Sequence, residues 1–190
     1  MKRRAGQQYC SGLASSRLIA VVSVIIPYVT IILSISRAPG FNIWINALSD
    51  LGNMKHLSSA PIFNSGLAIG GYLLGLASVL SSGVKPSNKV ILCIAGIMLI
   101  LIGVLNESYG IIHFIVSVAF FLLIIAYLTS YGYEYISIPA FIIAIFDVII
   151  WTLHFSIHYP PGAAIPELIS SISFIPFFLR ETLASSTSYT

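Results

Sequence analysis

Apolar residues in this chain gather into long unbroken runs, separated by short polar stretches. Six runs stand out, at residues 18–36, 60–81, 90–105, 109–130, 136–154 and 164–179. A helix needs about 20 mainly apolar residues to cross roughly 30 Å of hydrocarbon, at about 1.5 Å per residue. An unpaired backbone amide in lipid costs several kcal/mol, so runs of this kind should be helices, and the strict alternation of a membrane barrel strand is absent. The pattern predicts an all-α fold: a polytopic membrane bundle of six transmembrane helices. Residues 1–17 read as an N-terminal segment, 18–180 as the transmembrane domain and 181–190 as a flexible polar tail.

One connection is long. Residues 37–59 hold Pro39-Gly40, Trp44 and the stretch Asn46-Ala47-Leu48-Ser49-Asp50-Leu51-Gly52-Asn53. A loop of this length with a tryptophan and few charges is expected at the membrane interface, as a cap over the bundle, with Ser49 or Asp50 near the start of a short helix.

Composition narrows the class. Of 190 residues 57% are hydrophobic and 8% charged, with mean hydropathy +0.97, whereas soluble domains carry roughly 25% charged residues. A soluble domain, a disordered chain and a nucleic-acid partner are thereby excluded. The net charge of +3 matters through its placement. Six spans put Lys2, Arg3, Arg4, Arg17, Lys85, Lys89 and Arg180 on one side and Arg37 and Lys55 on the other, so the positive-inside rule predicts cytoplasmic termini in a multi-pass protein of the cell membrane. The first run is longer than a signal-peptide core. Cys10 and Cys93 suggest neither a disulfide framework nor a metal motif, and Cys10 is a candidate lipidation site.

Polar residues concentrate on the expected outer side: His56, Glu107, Ser108, His113, His154, His158 and Glu167, joined by Asp50 and Asn64. Among the acids only Glu134 and Glu181 fall on the inner side, and Asp147 is expected near mid-membrane on helix five. Ionisable groups in a membrane are costly and usually face a bundle interior or a wet cavity. Asp147, Trp151, His154 and His158 are spaced by four, three and four, one face of a helix. His154 and His158, with His113 from helix four, form a possible zinc set, and Asp50 or Glu107 could then activate water. The competing reading is metal-free: His113, Asp50 and Glu107 would tie the loop to the bundle. Asp147 would bond to a neighbouring helix or, in a carrier, hold a proton; a carrier lacks a second membrane-buried charge toward the inner side. Gly66, Gly70, Gly71 and Gly75 in helix two predict close helix packing within the bundle. No phosphate loop or nucleophile elbow is found.

The stretch Ala47-Leu48-Ser49-Asp50-Leu51-Gly52, followed by Ala60-Pro61-Ile62-Phe63-Asn64-Ser65-Gly66-Leu67, resembles the signature of a prokaryotic six-helix membrane family, domain of unknown function nine-nine-eight. Gly103-Val104-Leu105-Asn106-Glu107 with His113 is similar to its second signature. The resemblance spans roughly residues 18 to 180 and implies that Ser49, Asp50, Asn64, Glu107 and His113 share one site; His154 and His158 match no element of it. A looser similarity, through the late HxxxH, is to the alkaline ceramidase and adiponectin-receptor hydrolases, although Ser117 here follows His113 and six spans replace seven.

Two functional expectations result. The first is a pocket in the outer leaflet, under the 37–59 loop, that binds a lipid headgroup, small ligand or partner membrane subunit without a cofactor, with Ser49, Asn64, His113 and Asp147 as binding residues. The second is a zinc-dependent intramembrane hydrolase acting on lipid esters or amides, with His113, His154 and His158 on the metal.

Overall fold

A computed structural model describes the backbone of residues 2–184 and the side chains of 16–184. All regular structure in it is helical: α1 (Lys2–Ser36), α2 (Ala60–Leu80), α3 (Pro86–Val104), α4 (Ile111–Tyr135), α5 (Ile138–Ile157), α6 (Ala164–Ser173) and α7 (Ile175–Leu183). Two single turns of 3-10 helix, Leu48–Gly52 and Glu107–Tyr109, interrupt the connections. The first five helices contain stretches long and apolar enough to cross a membrane, in α1 from Ser16 to Ser36. The chain is therefore a multi-pass integral membrane protein.

Three boundaries differ from expectation. Residues 2–17 continue α1 rather than forming a separate segment. The sixth apolar run is broken at Phe174 into α6 and α7, where Pro176 starts the second piece; proline is tolerated in a first turn, where its missing N–H is not needed. Glu181 and Thr182, assigned to the polar tail, lie in α7 and are buried. The rest of that tail, 185–190, lies outside the described residues, as does the Cys10 side chain.

Helices α1 to α6 alternate in direction, as their contacts require, and α7 continues in the direction of α6. Thr30 of α1 meets Gly66 of α2, and Pro27 meets Gly70. On the opposite side of α2, a Cβ at Gly71 would stand 2.5 Å from the Gly96 carbonyl oxygen of α3, and Gly103 of α3 lies against the Asn64 carbonyl. The expected small-residue stripe thus serves packing inside the bundle. This is how helices associate in lipid, where burial of apolar surface supplies little drive and close backbone approach supplies van der Waals contact. Helix α4 packs on α3, α5 packs on α4 and α6, and α7 returns to α1. Tyr127, Ile124, Leu128 and Phe178 fill the centre. The loop end of the bundle carries residues 37–59, the Glu107 turn and the 158–163 connection; the terminal end carries residues 81–85, Ile136 and the end of α7.

Candidate functional site

The 37–59 loop is fastened at the loop end by a set of short polar contacts. Asp50 closes the 3-10 turn on itself, its Oδ2 accepting the Asn46 amide at 2.8 Å and the Ala47 N–H at 3.0 Å. The Leu48 N–H then donates to Glu167 Oε2 of α6 at 2.6 Å. Asn64 of α2 donates its side-chain amide to the Gly52 carbonyl at 3.0 Å. Asn53 donates to the Glu107 carboxyl, and the Met54 N–H donates to Ser108 Oγ at 3.0 Å. A Cβ at Gly52 would meet Asn64 Oδ1 at 2.4 Å and the Phe63 ring at 2.8 Å, so both side chains would have to shift to admit one. Trp44 packs edge-on against Tyr159 and its carbonyl accepts the Gly162 N–H at 3.0 Å, so the loop also grips the α5–α6 connection.

Beside this clasp, between α4 and α5, lies a cavity of about 680 Å³, within the range of about 300–1,000 Å³ typical of ligand sites. Its walls change character along its length. Val118, Leu122 and Ile125 of α4 and Val148 of α5 make the lower part apolar, while Phe114 and Phe155 face each other toward the loop end, and the half-exposed Leu122 and Val148 leave the cavity open along the outer face of the bundle. At the loop end Ser49, Glu107, His113, His154 and Glu167 converge on it. A second, smaller void of about 90 Å³ among α1, α2, α3, α4 and α6 shares Ser49, Ser117, Phe121 and Glu167 with this cavity as a common wall.

The ring nitrogens of the two histidines are assigned by their partners. His113 Nδ1 lies 2.8 Å from the Leu105 carbonyl, and His154 Nδ1 lies 2.8 Å from the Pro160 carbonyl. A carbonyl oxygen can only accept, so each Nδ1 carries the proton, and in the neutral ring Nε2 is left as an acceptor. The Ser117 hydroxyl, 3.3 Å from His113 Nε2, is placed to donate to it.

Of the residues singled out from the sequence, Ser49, Glu107 and His113 line the cavity, while Asp50 and Asn64 belong to the clasp behind it. Glu107 ties the loop down, as expected of the metal-free network. His113 instead bonds to the end of α3, and Asp50 bonds within its own loop, so neither plays the part expected of it. The three-histidine set is not assembled. Helix α5 ends at Ile157, ahead of Pro160-Pro161, and His158 leaves it exposed in a left-handed conformation (φ 55°), so the HxxxH spacing does not become one helical face. Among the described residues no group of three His, Cys, Asp or Glu is placed to hold a metal ion. Asp147 stands apart from the cavity: fully buried, it accepts hydrogen bonds from Ser170 (3.3 Å) and Ser173 (2.9 Å) of α6. Trp151 Nε1 donates to the same Ser170 at 3.0 Å. Asp147 thus bonds a neighbouring helix, next to the break between α6 and α7.

Glu181 is the polar residue that sequence reasoning missed. It is buried at the terminal end and accepts from Tyr127 (2.9 Å), Asn88 Nδ2 (2.9 Å), the Lys85 N–H (2.9 Å) and Tyr135 (3.2 Å). It also removes the argument that no second buried acid lies on that side. Its sequence signal is an acid one residue beyond a phenylalanine-rich apolar run, after Arg180.

No curated protein and no solved structure matches the chain. The family described as Protein of unknown function (DUF998) matches residues 21–178, which take in the clasp, both walls of the cavity and the first four residues of α7. The chain therefore belongs to that family.

Proposed function

We propose that this protein binds a single amphiphile in the cavity between α4 and α5, with its polar end under the 37–59 loop and its chain along Val118, Leu122 and Val148. The observation that carries this reading is the division of one cavity into an apolar length and a polar end, both bounded by helices that cross the membrane. A membrane lipid has that same division. The reading needs no chemistry: the clasp holds Glu107 and Glu167 by hydrogen bonds, which suits a rigid receptor for a headgroup. The excess of Lys and Arg at the terminal end supports a cell-membrane orientation with both termini in the cytoplasm, which would set the polar end in the outer leaflet.

Tryptophan supplies the test. The chain has two, and Trp151 lines the cavity while Trp44 lies in the loop. In a Trp44→Phe protein purified in mild maltoside detergent, a brominated-chain amphiphile should quench Trp151 saturably, at one molecule per chain. Val118→Phe, which fills the apolar wall, should weaken that binding by about tenfold, the equivalent of overpacking by roughly 1–3 kcal/mol. Quenching that rises without saturation, equally in both proteins, would show only partitioning around the bundle and would refute the reading.

A further inference from the structure

Resting on that reading, we infer that the bound amphiphile has a protonated amine as its polar end, an ammonium group with N–H donors and no phosphate. The ionisable side chains at the polar end of the cavity present acceptors. Glu107 and Glu167 bring carboxyl oxygens, and His113 and His154 have their Nδ1 protons committed to backbone carbonyls; Nε2 of His154 is left as an acceptor, while that of His113 accepts from Ser117 and leaves the Ser117 oxygen to accept in its place. The indole N–H of Trp151 is committed to Ser170. The hydroxyls of Ser49, Ser117, Thr152 and Ser156 can serve either way, and those of Ser117 and Thr152 have partners at His113 Nε2 and the Val148 carbonyl. Among the described residues lining the cavity there is no Lys or Arg. The loop cation Lys55 lines an adjoining depression, on the other side of Glu107 and Gly110, with Asn53 and Ser108.

An anionic headgroup would face two carboxyls with no cation to receive it, whereas phosphate sites are built from Arg, Lys or free backbone N–H groups. A neutral alcohol would gain one donor. An ammonium has several donors and the complementary charge: burial pushes the Glu167 carboxyl up to about 7, and a cation brought against it draws it back toward the ionised form. The same acceptor set explains the loop clasp: the Leu48 N–H and the Asn53 amide each satisfy one carboxyl oxygen and leave the carboxyl aimed at the cavity.

The experiment uses the Trp44→Phe protein in mild maltoside and three amphiphiles with one brominated chain and different ends: a primary amine, an alcohol and an alkyl phosphate. The amine should saturate Trp151 quenching at a concentration at least about tenfold below the other two, the effect expected of charge-assisted hydrogen bonds. Glu167→Gln keeps an acceptor for Leu48 but removes the carboxylate, and should abolish that preference by bringing the amine's affinity down to that of the alcohol. Glu107→Gln is the second variant, should Glu167→Gln not fold, and should reduce the preference in the same direction. His158→Ala, off the cavity, should bind all three as the parent does. Saturable binding in which the phosphate or the alcohol equals the amine, or an amine preference that survives both variants, overturns the inference and leaves amphiphile binding standing. Absence of saturable quenching by all three overturns the amphiphile reading itself.

Discussion

Removing the Glu181 carboxyl tests whether the terminal end is built around it. Four donors reach this one group, from the 81–85 turn, α3 and α4, and it sits in α7. Glu181→Ala takes this acceptor from all four, with the Gly83 carbonyl still 3.3 Å from the Tyr135 hydroxyl. Asn88 and Tyr127 are fully buried and have no access to water, so each should cost about 1–3 kcal/mol; Lys85 and Tyr135 are partly exposed and should cost less. The sum is a loss of about 3 kcal/mol or more. Glu181→Gln has a different outcome. Its amide oxygen can occupy the Oε1 position, serving Lys85, Asn88 and Tyr135, while its NH2 faces a Tyr127 hydroxyl that can turn and accept, so the loss should be about 1 kcal/mol. The assay is reversible unfolding of the detergent-folded protein by titration with sodium dodecyl sulfate, followed by circular dichroism. A Glu181→Ala protein within about 1 kcal/mol of the parent, or a Gln variant as unstable as Ala, would refute the hydrogen-bond account.

Three further outcomes are expected. Gly71→Ala should lower the unfolding midpoint even though alanine is the better helix former by about 1 kcal/mol, because its Cβ would stand 2.5 Å from the Gly96 carbonyl; Gly75→Ala, whose nearest neighbour is 4.0 Å away, should raise or preserve it. Asn53→Ala cuts the loop from Glu107 and should speed amide hydrogen exchange in residues 37–59 while leaving α2 and α3 protected, as mass spectrometry of exchanged peptides would register. His154→Ala should weaken amphiphile quenching of Trp151 and His158→Ala should not, because His154 lines the cavity and His158 lies outside it.

Particular residues explain what could be read in the sequence. The spans were legible because a membrane demands continuous apolar length, and polar gaps such as 81–85 mark its ends. The loop turn at Leu48–Gly52 was legible from Ser49-Asp50, whose side chains favour tight turns near a helix start. His158 was misread because a four-residue spacing means a shared face only while the helix continues, and α5 stops at Ile157. Glu181 was misread for a related reason. Arg180 and Glu181 look like the polar end of a span, but the three side chains that receive the carboxyl, Asn88, Tyr127 and Tyr135, come from distant stretches that meet only in the folded bundle. The break at Phe174 has a visible marker in Pro176, yet proline alone does not say whether a helix bends or divides.

The position of the cavity follows from how side-chain size sets helix spacing. Glycine against glycine brings α2 and α3 into backbone contact, and 44% of the most apolar stretch of α2 is buried. For α5 the figure is 17%. At the terminal end α4 offers Gly132, onto which the Phe141 ring of α5 packs directly, so the two helices begin close together. Toward the loop end the contact passes to Phe121 against Trp151 and Phe114 against Phe155, rings 4.7 and 6.1 Å apart between centroids. Bulky pairs at one end and a glycine at the other hold the helices apart where His113 and His154 project. Close backbone packing, the usual means of helix association in lipid, is therefore missing at that end of the α4–α5 pair, and the gap it leaves is the one the acidic and histidine side chains line.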